Sequence, residues 1–306
     1  MNNNTIKSTS RISKFRFASF YFAAVLIAIS LFGLVKNGLN LGLDFTGGYL
    51  TEFSTEQPIA QENMQQLLSR YLPADFQLSA ADNGTHWSVR QTESNIGQQQ
   101  SSWLTEFAQQ SDLSITPQDA MYIGSQVGDE LIDQGGLALL TAVIVILVYL
   151  SLRFEWRLAA GSVVALVHDV VIVLGIFAWC NISFDLTILA SLLAIIGYSL
   201  NDSIIVGDKV REIIMRNKDG DIDNIIDQAI KSTLVRTLIT SGTTLATVLA
   251  IGLFAGESLQ GFAIALFTGI LVGTYSSIAI SATVPQILGL TAEHYHKQAQ
   301  DICTLP

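Results

Sequence analysis

The sequence predicts a polytopic α-helical membrane protein with six transmembrane helices and a small α+β exterior domain of ferredoxin-like layout. Three observations predict it. Half of the 306 residues are hydrophobic and only 14% are charged, which is too apolar for a soluble chain. Six apolar runs, near 17–35, 135–152, 158–180, 186–207, 237–256 and 261–283, are each long enough to cross a hydrocarbon core of about 30 Å as a helix. Between the first two runs the composition turns polar, and strand and helix patterns alternate.

The first run follows Lys7, Arg11, Lys14 and Arg16 and is longer than the apolar part of a signal peptide, with no small-residue cleavage site behind it. It reads as an uncleaved anchor. Arg153 and Arg157 lie in the turn between spans two and three, and Lys209, Arg211, Arg216, Lys218, Lys231 and Arg236 lie between spans four and five. The turns 181–185 and 257–260 carry no basic residue. The positive-inside rule therefore places residues 1–16, the loop 208–236 and the tail 284–306 in the cytoplasm, and residues 36–134 in the periplasm. Cys180 and Cys303 then lie on opposite sides of the membrane and cannot pair.

Residues 36–134 hold 13 acidic and three basic residues, which alone account for the formal charge of −10. An acidic exterior argues against a nucleic-acid partner. Within it, "YLTEFST" alternates as a strand, and a helix runs from Pro58 to Tyr71 with Ile59, Met64, Leu67 and Leu68 as its apolar positions. "DFQLSAA" and "THWSVRQ" form two strands joined at Asp82-Asn83-Gly84. A helix near 97–109 carries Trp103, Leu104 and Phe107, and a strand near 113–123 closes the β-α-β-β-α-β order. No nucleophile-base set or metal-ligand spacing appears, so no enzyme activity, metal or cofactor is expected, and His294-x-His296 reads as a solvated tail. At its entry, "LGLDFTGGYLTEF" places Asp44 before Gly47-Gly48, a tight bend whose backbone N–H groups Asp44 is expected to cap, with ion binding as the alternative.

Polar residues within the spans carry the functional signal, because a carboxylate in hydrocarbon costs about 2.5–3.5 kcal/mol on insertion scales. Span three contains His168 and Asp169, and span four contains Tyr198, Ser199, Asn201, Asp202 and Ser203. At 100° per residue, Ser191, Ile195, Tyr198, Ser199 and Asp202 share one face that Lys209 continues, with Asn201 about 100° away from Asp202. Span five opens on Arg236, followed by Thr237, Thr240, Ser241, Gly242, Thr243 and Thr244, small and hydroxylated residues that permit close helix approach. Asp202 can meet Arg236 across the two helices. Burial favours the neutral carboxyl and the cation favours the charged one, so this residue is poised to exchange an ion. A static pair that only fixes helix packing is the alternative. For His168 and Asp169, mutual satisfaction and function weigh equally. No phosphate-binding loop is present, so energy must come from an ion gradient or a partner.

"GLDFTGG", "VGDEL", "RFEWR", "HDV", "GYSLNDSIIVGDKVRE" and "RTLITSGTT" occur in this order along nearly the whole chain. Together they resemble the SecD/SecF protein-export family of the resistance-nodulation-division superfamily. The resemblance implies a subunit that pairs with SecD, associates with the SecYEG channel and has YajC and YidC as further candidate partners. With SecD it would use proton flow, or sodium flow, to help draw a preprotein outward after ATP-driven insertion. It assigns ion transport to the aspartate of "ND" and the arginine of "RT", which are Asp202 and Arg236 here. Tyr198, Ser199, Asn201, His168, Asp169 and Thr240 are candidate supporting residues. The chain departs from the family pattern at Lys231-Ser232 and at Gly207. An ion-coupled small-molecule transporter subunit and a purely structural channel-stabilising subunit are the competing readings.

Overall fold

A computed structural model describes residues 11–72, 76–81, 84–91, 102–111, 113–217, 220–255 and 259–291. Residues 82 and 83 of the expected hairpin turn, the first part of the helix expected near 97–109 and the His294-x-His296 tail lie outside the described residues.

The chain enters through α1 (Arg11–Asn37), a long helix whose end leads into a two-residue strand β1 (Asn40–Leu41) and a single helical turn α2 (Leu43–Thr46). A domain follows with the order β2 (Gly48–Thr55), α3 (Gln61–Leu68), β3 (Gln77–Ala81), β4 (His86–Gln91), α4 (Ser102–Gln110) and β5 (Ile115–Ile123). Its four strands form a sheet of order β3-β4-β2-β5, antiparallel throughout. β2 pairs with β4 from Tyr49↔Gln91 to Ser54↔His86, and with β5 from Gly48↔Ile123 to Thr55↔Ile115 across one register shift. The period-2 pattern puts Phe53, Trp87 and Val89 on one face, where Met64 and Leu68 of α3 and Trp103 and Phe107 of α4 cover them. Burying each of these large side chains contributes about 1.5–3 kcal/mol. The Trp87 indole N–H donates to the Thr55 hydroxyl at 3.2 Å, so the core has no unpaired ring nitrogen there.

Five further long helices complete the chain: α5 (Ser125–Arg153), α6 (Trp156–Cys180), α7 (Leu186–Arg216), α8 (Ile222–Phe254) and α9 (Gln260–Ala279). A short strand β6 (Ser183–Phe184) precedes α7, and a turn α10 (Val284–Ile287) follows α9. With α1, these make six helices long and apolar enough to cross a membrane. Several start earlier than the apolar runs alone indicate. α5 begins at Ser125, directly after β5, and α8 begins at Ile222. The early part of α8 is amphipathic, and Ile225, Ile226, Ala229 and Ile230 bury against Val206, Val210, Ile213 and Ile214 of α7.

Half of the apolar stretch of α6, α7 and α9 is buried, against 6% for α5 and 17% for α1 and α8. The first three helices therefore form the centre of the bundle. α9 approaches α7 closely because Gly269 and Gly273 face it. A Cβ on Gly269 would run into Ile195, and one on Gly273 would come within 3.2 Å of the Ser199 Cβ. At one end of the bundle the helices meet the sheet domain. At the other, the Arg16 guanidinium is 2% exposed and binds Asp223 at 3.0 Å, Asp227 at 3.6 Å and the Gln286 side-chain oxygen at 2.6 Å. This ties α1, the early part of α8 and α10 together.

Candidate functional site

The carboxylates predicted inside the spans are both buried, but in contrasting surroundings. Asp169 on α6 is saturated. Its Oδ1 lies 2.8 Å from His168 Nδ1, and its Oδ2 accepts from the Ser199 hydroxyl of α7 at 2.5 Å and the Ser276 hydroxyl of α9 at 2.7 Å. Three donors around one carboxylate offset much of its desolvation and pin α6, α7 and α9 at one level. His168 has no exposed surface, and its Nε2 has no hydrogen-bond partner among the described residues. The Tyr275 ring lies beside it with centroids 6.5 Å apart, and the Tyr275 hydroxyl donates to the Ser19 carbonyl of α1 at 2.5 Å.

Asp202 on α7 is 2% exposed, yet among the described residues its Oδ2 has no hydrogen-bond partner, and neither has the hydroxyl of the adjacent buried Ser203. Thr237 of α8, 1% exposed, likewise carries a hydroxyl with no partner among the described residues. No ion pair closes between Asp202 and Arg236 among the described residues. The Arg236 side chain is exposed and lines a cleft of about 330 Å³ with Ile205, Asp208, Lys209, Glu212, Ser232 and Thr233. Lys209 pairs with Glu212 at 2.8 Å and Asp208 with Arg153 at 2.6 Å, so both of these charges in the cleft are already engaged.

The predicted polar face of α7 is buried as a unit: Ser191, Ile195, Ser199 and Asp202 are each 2% exposed or less. Tyr198 is half-buried and donates to Ser241 of α8 at 3.0 Å, and Ser241 lies 2.7 Å from the Thr274 hydroxyl of α9, giving a second link between three helices. Asn201 is exposed, on the side of α7 turned away from the bundle centre. Thr240 is exposed as well, and its hydroxyl bonds the Arg236 and Thr237 carbonyls of its own helix instead of reaching α7.

The Asp44 bend differs from the expected local cap. Asp44 Oδ2 accepts the backbone N–H of Leu186, the first residue of α7, at 3.0 Å. The bend itself is closed by its own backbone and by Thr46, whose hydroxyl bonds the Gly42 carbonyl at 3.2 Å. Gly47 and Gly48 have φ of 67° and 136°, and a Cβ on Gly48 would collide with the Gln91 carbonyl, so the two glycines do serve the tight turn and close approach.

Ser276 and Arg16 were missed in the sequence reading. A signal for Ser276 existed in the Gly269-x-x-x-Gly273 spacing, which marks a face of close approach on which residue 276 also falls. Arg16 read only as a flanking charge, because nothing local points to partners more than 200 residues away.

Comparison with known proteins places the chain in a family. The family described as "Protein export membrane protein SecD/SecF, C-terminal" matches residues 104–290, and the "SecD/SecF GG Motif" family matches residues 32–59. Protein translocase subunit SecF of Vibrio alginolyticus is 41% identical over 282 residues, covering 90% of this chain and 89% of its own. The SecF subunit of Pseudomonas aeruginosa is 38% identical, covering 91% of each chain. The crystal structure of SecDF, a translocon-associated membrane protein from Thermus thermophilus, superposes with a TM-score of 0.80 at 30% identity, over 90% of this chain. This chain spans 38% of the SecDF chain. A second SecDF structure, in a super-membrane-facing form, has a TM-score of 0.65 at 28% identity, over 97% of this chain and 40% of that one. The chain belongs to the SecD/SecF family of protein-export membrane proteins.

Proposed function

We propose that the chain acts as the SecF subunit of the Sec translocase in the bacterial inner membrane. Both termini then lie in the cytoplasm and the sheet domain in the periplasm. It pairs with SecD, associates with the SecYEG channel, with YajC and YidC as neighbours, and promotes the late, ATP-independent stage of preprotein translocation. The energy comes from the proton or sodium motive force, worth about 2.3 kcal/mol per charge per 100 mV.

One observation carries this reading: Asp202 is buried mid-span, its Oδ2 has no hydrogen-bond partner among the described residues, and no ion pair to Arg236 closes there. A buried ionised carboxylate without a donor draws a counter-charge toward it, and a neutralised one does not. Loading a cation at Oδ2 therefore weakens the attraction between α7 and the Arg236 level of α8, and releasing it restores that attraction. The Asp169 centre is the contrasting case, because its three bonds tie α6, α7 and α9 to one another and leave that carboxylate already supplied with donors.

The test is Asp202→Asn in membrane vesicles completing the export of a preprotein whose ATP-driven insertion has been stopped. Gradient-dependent completion is lost while SecD still co-purifies. Completion at the wild-type rate removes Asp202 from the coupling step.

A further inference from the structure

α7 already has an N-cap of its own. The Asp185 side chain accepts the Ile188 N–H at 3.1 Å and the Thr187 hydroxyl at 2.6 Å. Asp44 brings a second carboxylate to the same helix end from 142 positions earlier in the chain, against the N–H of Leu186. A carboxylate there also meets the positive end of the helix dipole. It satisfies one further N–H of the helix end and at the same time joins two elements.

Everything around Asp44 strengthens that joint. β1 and β6 pair in parallel, Asn40 with Ser183 and Leu41 with Phe184, and the Gly42 N–H donates to the Phe184 carbonyl at 2.7 Å. Phe45 stacks on Phe184 with centroids 5.8 Å apart, within a cluster that includes Val173, Phe177, Ile188 and Ile195. α5 starts against the same turn, where a Cβ on Gly128 would lie 2.7 Å from the Phe45 carbonyl oxygen. On the far side, Gly48 presses β2 against Gln91 at the end of β4. Segments that act as hinges have few buried contacts and exposed backbone hydrogen bonds. The turn at Asp44 is instead closed by backbone bonds and buried rings, although a cleft of about 590 Å³ lies beside it between Glu52 and Arg90 of the sheet domain and Asn181 and Asp185 of the bundle. Asp202 lies 16 residues along α7 from Leu186, about 24 Å at helical rise.

We propose that Asp44 is a positioning residue that locks α7 to the sheet domain, so that displacement of α7 at Asp202 moves the domain as one body. This rests on the proposed function of Asp202 and gives the Gly-Gly bend a part in it. The proposed ion site and the sheet domain are then joined by one continuous helix and one carboxylate.

The test uses the full chain with SecD in vesicles, measuring ion flux and preprotein completion in the same preparation. Asp44→Ala lowers export per ion by about fivefold or more, the usual lower end of a coupling effect, while ion flux stays near wild type. Asp44→Asn stays close to wild type in both, because the amide oxygen still accepts the Leu186 N–H. Unchanged export per ion in Asp44→Ala overturns the proposal, and so does a parallel fall of flux and export.

A second experiment places Asn40→Cys and Ser183→Cys in a Cys180→Ser, Cys303→Ser background. Paired strands stand about 4.8 Å apart, within disulfide range. The oxidised protein exports as fast as the reduced one if the junction remains closed throughout. Arrest on oxidation that reduction reverses, or failure of the pair to cross-link, overturns the proposal. Failure of the underlying reading looks different: Asp202→Asn then exports normally whatever Asp44 does.

Discussion

Arg16→Met isolates the buried charge cluster that closes the bundle at the end opposite the sheet domain. Removing one member of a buried ion pair typically costs about 3–5 kcal/mol, because the partner charge stays behind without compensation. Here the two acidic partners differ. The Asp223 side chain is 21% exposed and keeps a bond from the Gln286 amide, so water and Gln286 compensate it. The Asp227 side chain is 5% exposed, so water compensates it less than Asp223. The expected loss is at the low end, about 3 kcal/mol. Asp227→Asn in the Arg16→Met background removes the buried charge that faced the guanidinium, and the cycle shows a coupling of about 0.5–3 kcal/mol, the range for contacting residues. The assay is reversible unfolding of the purified protein in mixed detergent micelles, followed by helical circular dichroism across the double-mutant cycle. A loss below about 0.5 kcal/mol for Arg16→Met, or strict additivity of the two substitutions, refutes the assignment of this cluster as a stabilising clamp.

Two further substitutions probe other parts of the account. Asp169→Ala strands the His168 Nδ1–H and two serine hydroxyls at a fully buried level; the serines can turn to their own helix carbonyls, so the loss is about 2–4 kcal/mol in the same unfolding assay, and a neutral outcome refutes the role of Asp169 as the bundle's central tie. Gly48→Ala places a Cβ at a φ of 136° and against the Gln91 carbonyl, costing about 2–4 kcal/mol and loosening the β2–β4 edge, which amide exchange at Gln91 reports; unchanged exchange refutes the close approach.

What the sequence made legible was whatever depends on short-range periodicity. Apolar runs of about 20 residues have no stable alternative to spanning helices, so six were evident, and alternation at Tyr49–Thr55 marked the central strand. The buried face of α7 followed from 100° geometry, since Ser191, Ser199 and Asp202 recur at helical spacing. Helix ends were less legible. α8 starts at Ile222 because Ile225, Ile226, Ala229 and Ile230 bury against α7 in a polar-looking segment, a tertiary gain that no hydropathy threshold registers. The long-range partners were not legible at all. Asp44 reaches Leu186, Ser276 reaches Asp169, and Arg16 reaches Asp223 across separations of 107 to 207 residues, which only the packed bundle brings together. Local propensity pointed Asp44 at its own glycine turn, but that turn closes on its own backbone and leaves the carboxylate for α7.

The site itself was partly legible for the same reason. Asp202 and Arg236 stood out by residue type alone, because an ionisable group in a span is costly wherever it points. Which neighbours satisfy each carboxylate depends on three helices at once. The sequence ranked Asp202 ahead of Asp169 for ion exchange, but it did not show that Ser199 and Ser276 supply donors to Asp169 while Asp202 Oδ2 has none among the described residues.

The most direct test of the account is cation flux through the purified chain and SecD in proteoliposomes under an imposed gradient. Proton and sodium are measured separately, and the wild type is compared with Asp202→Asn. The account predicts gradient-driven uptake of one of the two ions in the wild type and its loss in Asp202→Asn, with the complex still assembled. Wild-type flux in Asp202→Asn contradicts it.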